Sequence, residues 1–158
     1  MNETDRLALN AMLVRAAKHD KQELAKEVFG QGAYVDARDG KERTVLHWFA
    51  MHVNADMLLF FIEKGADVNA ADELKWTPLH HAAYWGGSIA CMKLLIEHGA
   101  DLDLKDVFGH TPLDTLKTEY STRHTIHSDE LTVLDLNVKK LKKEDIKGTA
   151  DTGYEFDI

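Results

Sequence analysis

The chain has 158 residues, of which 44% are hydrophobic and 29% are charged, which is typical of one compact folded domain or one short repeat array. Its formal net charge of −8 argues against a nucleic-acid partner, because an acidic surface repels phosphate backbones. No apolar run approaches the roughly 20 residues that span a bilayer, so we expect no membrane insertion.

The N-terminus and the cysteine content bear on localisation. The first twenty residues carry Glu3, Asp5 and Arg6 ahead of their apolar residues, so we expect no signal peptide. The single cysteine, Cys91, excludes an internal disulfide and is typical of a reducing compartment. We therefore predict a cytoplasmic protein, with the nucleus as the alternative.

Two motifs recur along the chain with the same period. The stretches TVLHWFA, TPLHHAA and TPLDTLK begin at threonines spaced 33 and 34 residues apart: Thr44, Thr77 and Thr111. The stretches GQGAYVDA, EKGADVNA and EHGADLDL place a glycine with the same two spacings, at Gly32, Gly65 and Gly99. The shared extra residue predicts one insertion between Thr77 and Gly99, which we place in the turn at residues 86–88. Such a period is the signature of a repeat architecture.

The first two units are partial copies of the pattern. Residues 4–37 contain Ala16-Ala17 and GAYVDA, but no threonine-led motif precedes them. Residues 39–70 contain the motif with Val45 in place of a proline. The first unit is expected to cap the array, because one face of an end repeat meets water.

The third unit, residues 72–104, shows most clearly what each unit should form. Thr77 is a helix cap, and Pro78 suits the first helical position because its missing N–H would be unpaired there. Ala82 and Ala83 give the short first helix a face of small residues. A second helix has the apolar face Met92, Leu94, Leu95 and Ile96. Gly99 stands where a helix needs a left-handed C-cap, so the unit predicts a helix, a turn, a helix and a β-type loop.

The pattern D-x-x-G-x-T-P-L-H-x-A-A followed by G-A-D-V-N-A resembles the ankyrin repeat. The third unit matches it at Asp72, Thr77, Pro78, Leu79, His80, Ala82, Ala83, Gly86, Gly99, Ala100 and Asp101. The resemblance covers residues 7–117. It implies an all-α repeat solenoid of about four helix-turn-helix repeats with β-type loops, at residues 4–37, 39–70, 72–104 and 106–120. It also implies a structural role for His47 and His80, which would form hydrogen bonds within and between repeats.

The last forty residues depart from the pattern. The fourth unit loses it after Leu113 and has Asp114 where histidine is usual. Residues 119–130 are polar and predict a loop. Four apolar residues then recur at helical spacing and predict an amphipathic helix over Asp129–Lys143: Leu131, Leu134, Val138 and Leu141. We interpret this helix as the C-terminal cap of an array at residues 1–120, with a partner-binding helix as the alternative. Residues 148–158 predict a flexible tail.

Two loop tips lack the glycine that the family carries there. Glu42 and Lys75 occupy these positions, whereas Gly109 keeps the glycine in the last unit. A residue other than glycine in a left-handed conformation costs about 1 kcal/mol. Either these two loops adopt another shape, or the repeat stack tolerates the strain.

The nine histidines and the cysteine do not form a recognisable reactive site in the sequence. His124 and His127 have no cysteine or acidic ligand set at zinc spacing around them. Cys91 stands among apolar residues and is expected to be a buried, inert thiol. No nucleophile elbow or phosphate-binding loop occurs. We therefore predict no enzyme, no cofactor and no metal.

The resemblance implies a binding surface, because similar proteins bind partners on a concave face made of loop tips and first helices. In this chain that face comprises Lys41, Arg43, Met51, His52, Glu73, Leu74, Trp76, Tyr84, Trp85, Val107, Phe108 and His110. Six of these residues form what we call the aromatic patch: Leu74, Trp76, Tyr84, Trp85, Val107 and Phe108. Large apolar patches mark interaction sites, and Trp and Tyr are favoured interface anchors. The alternative is that some of these rings pack between neighbouring loops and first helices.

A polar rim is expected to orient the partner, namely Lys41, Arg43, His52 and Glu73. The predicted function is a non-catalytic protein-interaction module or adaptor with a protein partner. The alternative is a regulatory subunit or inhibitor of a partner enzyme that acts through the C-terminal segment, residues 121–158. A homo-oligomer through the aromatic patch also stays open.

Overall fold

The computed structural model describes residues 2–85 and 89–123, and within these ranges the chain forms helices and loops without a β-strand. The helices are α1 (Glu3–Lys18), α2 (Gln22–Gly30), α3 (Val45–Met51), α4 (Ala55–Glu63), α5 (Pro78–Trp85), α6 (Ile89–Glu97) and α7 (Pro112–Arg123). This order confirms the predicted all-α repeat solenoid. The predicted insertion at residues 86–88, the helix Asp129–Lys143 and the tail lie outside the described residues.

The helices form two layers that meet at the core. First helices pack side by side in the order α1, α3, α5 and α7, and α4 packs on α6 in the second layer. Alanines of the first helices are buried and let neighbouring helices approach closely, notably Ala17, Ala50, Ala82 and Ala83. Phenylalanine rings fill the space between the layers: Phe61 stacks on Phe49 with ring centroids 5.7 Å apart and meets Phe29 of α2 edge-on. Phe49 and Phe61 are fully buried, and each stabilises the fold by roughly 1.5–3 kcal/mol.

Glycines end the second helices as predicted. Gly32, Gly65 and Gly99 have φ of 107°, 89° and 91°, a region that residues with a Cβ rarely adopt. After α6, the N–H of Ala100 donates to the carbonyl of Leu95 at 2.9 Å, so one of the helix's last carbonyls is satisfied. Each reversal leads through a further turn into the next loop: the N–H of Ala37 donates to the carbonyl of Tyr34 at 3.1 Å, and the N–H of Ala70 donates to that of Asp67 at 3.2 Å.

The last described helix is longer than predicted. Residues 119–123, which we expected to begin a loop, continue α7 as far as Arg123. Leu116 is fully buried and anchors the helix to the stack. Elongating a nucleated helix costs far less than starting one, which explains how this polar stretch remains helical. None of the described helices combines the length and the apolar content needed to cross a bilayer.

Candidate functional site

One aspartate organises each loop tip: Asp39, Asp72 or Asp106. Its Oδ1 accepts the backbone N–H groups of the second and fourth residues after it, at 2.8–3.1 Å. Its own N–H donates to the carbonyl of that fourth residue at 2.9–3.0 Å. These bonds close a tight turn, so the first two residues after the aspartate stand at the tip.

The tips are also joined to one another through the backbone. The N–H of Glu73 donates to the carbonyl of Lys41 at 3.1 Å, and the N–H of Val107 donates to that of Leu74 at 3.0 Å. Lys41, Leu74 and Phe108 occupy the same position in successive tips. They therefore form a column, which begins with a cation and ends with an aromatic ring.

The two tips that lack glycine keep the left-handed conformation. Glu42 has φ 61° and Lys75 has φ 58°, close to the 82° of Gly109. Of the two outcomes left open by the sequence, the structure shows the second, in which the stack tolerates the strain. The cost of about 1 kcal/mol per residue is offset by the aspartate bonds that every tip makes.

The hydrogen bonds also keep the loop aspartates ionised. Burial raises the pKa of Asp72, but hydrogen bonds from His81, Trp76 and Leu74 outweigh it and hold the pKa below its usual value of 3.8. The pKa values of Asp39 and Asp106 are lowered in the same way, against the effect of burial, mainly by backbone N–H groups of their own loops. An ionised carboxylate accepts stronger hydrogen bonds than a neutral one.

The two motif histidines have the predicted structural role. His47 Nδ1 accepts the N–H of Thr44 at 2.9 Å, and its Nε2 lies 3.0 Å from the carbonyl oxygen of Trp76 in the next repeat. His80 repeats this arrangement with Thr77, at 3.2 Å, and with the carbonyl of His110, at 3.1 Å. Both side chains are fully buried, so each histidine ties its own helix start to the following loop.

The aromatic patch divides into exposed and covered members. The exposed members are Leu74 (43% exposed), Trp85 (46%), Val107 (48%) and Phe108 (71%). Trp76 and Tyr84 are only partly exposed, and their ring centroids lie 5.1 Å apart. The two loop tips and Trp85 therefore supply most of the accessible apolar surface of the patch.

Trp76 is held by three successive repeats. Its backbone carbonyl meets His47 of the preceding repeat, and its own ring packs edge-on against His81 with centroids 5.0 Å apart. Its indole Nε1–H donates to Asp106 Oδ2 of the following repeat at 3.0 Å. The expectation that some rings pack between loops and first helices therefore holds for Trp76.

The polar rim is less free than expected. Lys41 and Glu73 are exposed, with Lys41 Nζ 3.9 Å from Glu73 Oε1. His110, which belongs to the predicted face but not to the rim, is also exposed. Arg43 Nε donates to Asp39 Oδ2 at 3.0 Å. His52 Nε2 lies 3.0 Å from a backbone carbonyl of α1, and Met51 packs against the core. Of the predicted rim, Lys41 and Glu73 retain the freest side chains.

A buried group next to Trp76 has the residue types that bind metals. His47, Asp72 and His81 bring one ligand atom each within 4.8 Å of the others. His81 Nε2 lies 2.9 Å from Asp72 Oδ2 and His47 Nε2 contacts a carbonyl, whereas the buried His81 Nδ1 has no hydrogen-bond partner among the described residues. We therefore assign the group to the joint between the second and third repeats.

Sequence reasoning missed a second surface, which we call the basic groove. It lies between α1 and the first loop and holds about 650 Å³. Five cationic side chains line it: Arg15, Lys18, Arg38, Lys41 and Arg43. The signal was present in the sequence, but it is divided between two segments about 20 residues apart that only the fold brings together.

The comparisons with known proteins agree with this geometry. A family model described as "Ankyrin repeats (3 copies)" matches residues 13–106. Protein phosphatase 1 regulatory subunit 12A of Rattus norvegicus is 31% identical over 118 residues, which are 72% of this chain and 11% of that protein. E3 ubiquitin-protein ligase Ufd4 of Drosophila melanogaster is 33% identical over 66% of this chain and 4% of its own length. Palmitoyltransferase Hip14 of the same fly is 35% identical over 61% and 15%. The chain thus spans a small fraction of each of these relatives.

Proposed function

Because the chain belongs to the ankyrin repeat family, whose repeats are protein-interaction modules, we propose that it binds a partner protein through its concave face of loop tips and first helices. The face comprises the tips after Asp39, Asp72 and Asp106 together with helices α3, α5 and α7. We infer that the module is non-catalytic, because its buried motif histidines are used in structural hydrogen bonds. Two of the relatives have enzyme names, so such repeats also occur as parts of enzymes.

The exposed apolar tips carry this proposal. Leu74, Val107 and Phe108 project from two adjacent tips, and Trp85 stands exposed at the end of α5. The aspartate side chain and the backbone hydrogen bonds hold each loop independently of the side chains at its tip. The packing of the described repeats therefore does not require apolar side chains at these tips. Apolar residues grouped at such positions are typical of interaction sites, and aromatic rings dominate interface energetics.

The test is affinity capture from a lysate of the source cell with three forms of the chain. The tip variant carries Leu74→Ser and Phe108→Ser, which leave the aspartate bonds intact. The control carries Leu7→Ser and Leu24→Ser, two exposed leucines of the first repeat. We expect wild type and control to retain a partner that the tip variant loses. Equal retention by all three forms would remove the tips as the binding site. Trp76 is unsuitable for this purpose, because it also joins the repeats.

A second candidate function is a regulatory subunit or inhibitor of a partner enzyme that acts through residues 121–158. It is favoured by the relative named as a regulatory subunit, which the chain matches at 31% identity. Deleting residues 128–158 separates the two candidates once a partner enzyme is in hand. Intact binding with loss of control over enzyme activity supports the regulatory function, whereas unchanged control excludes it.

A further inference from the structure

The basic groove stands out because the protein as a whole is acidic. The chain has 27 acidic and 19 basic residues, yet the ten residues lining the groove include five cations and a single carboxylate, Asp39. That carboxylate is bonded to Arg43 Nε at 3.0 Å. The groove is therefore a local reversal of the surface charge, and it adjoins the concave face at the loop tip that carries Lys41.

Ion pairing within the chain leaves part of this charge uncompensated. Arg38 lies 3.6 Å from Glu42, and Lys41 lies 3.9 Å from Glu73, both at the solvent-exposed edge. Arg15 and Lys18, by contrast, form no ion pair with any residue that the structure describes. Two cations on α1 are thus available to an anionic group that enters the groove.

An aromatic ring supports the cations of the groove. The Arg43 guanidinium carbon lies 4.0 Å from the ring centroid of Trp48, and Lys18 Nζ lies 5.7 Å from the same centroid. Trp48 is buried, and among the described residues its indole N–H has no hydrogen-bond acceptor, so Trp48 meets these two cations through the face of its ring. Cation–π contacts of this kind restrict the motion of a charged side chain without neutralising it.

We propose that the basic groove binds an acidic peptide segment of the partner whose apolar residue occupies the aromatic patch. The inference rests on the proposed function and specifies the chemistry of the partner. The column of tips runs from Lys41 through Leu74 to Phe108, a distance of about 20 Å for two repeats whose helices lie 8–10 Å apart. An extended chain covers about six residues over that distance. The partner segment therefore carries its acidic residues about six positions from an apolar anchor.

A peptide fits this surface better than a nucleic acid. A long polyanion placed along the groove would also meet the acidic remainder of a surface with a net charge of −8. A short acidic segment meets only the groove, and carboxylates form bidentate hydrogen bonds with arginine.

The test measures the fluorescence anisotropy of a labelled twelve-residue peptide bound to the full chain. The peptide has four glutamates at one end, a tryptophan six residues beyond them, and glycine and serine elsewhere. A second peptide has glutamines in place of the glutamates. The groove variant carries Arg15→Gln and Lys18→Gln. The matched control, with the same loss of charge, carries Lys64→Gln and Lys93→Gln on second-layer elements.

We expect the glutamine peptide and the groove variant each to bind about tenfold more weakly, and the control to stay within about twofold of wild type. Raising the salt from 50 to 300 mM should weaken binding of the acidic peptide, because screening shortens the reach of the charges. Equal binding of both peptides would overturn the proposal. So would tighter binding of a single-stranded oligonucleotide of equal charge, which would assign the groove to nucleic acid.

Affinity capture from the lysate distinguishes failure of the acidic-segment proposal from failure of the proposed binding face. If the groove variant retains the cellular partner and the tip variant loses it, the acidic segment is refuted and the binding face stands. If the tip variant retains the partner, the binding face itself is refuted, whatever the peptide shows.

Discussion

The second and third repeats place different chemistry on the same two scaffold positions. Arg43 and Trp76 are each the fourth residue after their loop aspartate, and Trp48 and His81 each follow the motif histidine by one residue. In the second repeat a loop cation lies over a helix tryptophan. In the third repeat a loop tryptophan lies against a helix histidine. The basic side chain is therefore on the loop in the second repeat and on the helix in the third, and the tryptophan is on the other element in each case. As a result, one end of the concave face is basic and the other is aromatic.

The exchange also changes what the loop aspartate does. Asp39 pairs with Arg43 where the two side chains are 20% and 17% exposed, so water screens the pair. Asp72 pairs with His81 where they are 5% and 7% exposed, so little screening remains. The repeat period determines the position of the aspartate in the loop. How much the aspartate contributes to the free energy of unfolding depends on the side chain with which it pairs. The comparison therefore predicts unequal effects from equal substitutions.

The largest effect is expected from Asp72→Ala. This change leaves buried His81 without its partner and two loop N–H groups without an acceptor, which should cost about 3–5 kcal/mol of unfolding free energy. Asp39→Ala removes the same backbone bonds at a more exposed site and should cost about 1–2 kcal/mol. Urea titration followed by circular dichroism measures both. Equal losses would mean that the buried pair adds nothing to the loop.

A pH titration of stability tests the joint between the two repeats. Burial, together with the neighbouring His81, lowers the pKa of His47 from 6.5 to about 4. Between these values the unfolded chain binds a proton that the folded chain does not. Stability therefore falls as the pH drops from 6.5 towards 4, by about 3 kcal/mol for this residue, and the effect vanishes above 6.5.

The matched variants for this titration are His47→Gln and His19→Gln, since His19 is exposed. The quantity compared is the slope of unfolding free energy against pH, so any uniform loss of stability cancels. The first variant should flatten the slope between pH 4 and 6.5, whereas the second should leave it unchanged. An unaltered slope in His47→Gln would place the acid sensitivity elsewhere in the chain.

Trp76→Phe sharpens the comparison within the aromatic patch. The variant keeps a ring against His81 but loses the indole donor to the ionised Asp106, so we expect a loss of about 2 kcal/mol in unfolding free energy. Trp85→Phe, at an exposed position, should change stability by less than about 0.5 kcal/mol. Thermal unfolding of the two variants checks this difference. Identical midpoints would show that the bond to the fourth repeat carries no net stability.

Local signals in the sequence predicted the scaffold well. The threonine and glycine periods predicted the helix starts and the left-handed turns, because each depends on residues a few positions apart. The structural role of His47 followed from the family resemblance, because His47 occupies the histidine position of the threonine-led motif. The family resemblance also assigned the loop tips to a concave binding face, which stays a prediction.

Long-range partners were not predictable in the same way. The sequence predicted that Trp76 and Trp85 both face outward. Trp76 is instead partly covered, because its indole N–H donates to Asp106, thirty residues further along the chain. The basic groove was hidden for a related reason, because Arg15 and Arg43 belong to different units and acidic residues flank the second one. The repeat period determines where each residue lies in the fold. The exposure of a side chain and the local charge of a surface depend on the side chains that the neighbouring repeats place beside it.

The smallest effect, and one of opposite sign, is expected at the turn between α3 and α4. Val53 has φ 57° there, a conformation that a β-branched residue adopts only under strain, whereas the third repeat has Gly86 at the equivalent position. Val53→Gly relieves roughly 1–2 kcal/mol of strain and loses 0.4–1 kcal/mol to the greater freedom of the unfolded chain. The net expectation is a gain of about 0.5 kcal/mol, measured by thermal unfolding. Val53→Ala keeps a Cβ and should gain little, so an equal gain in both variants would attribute the effect to the exposed valine side chain instead of the backbone.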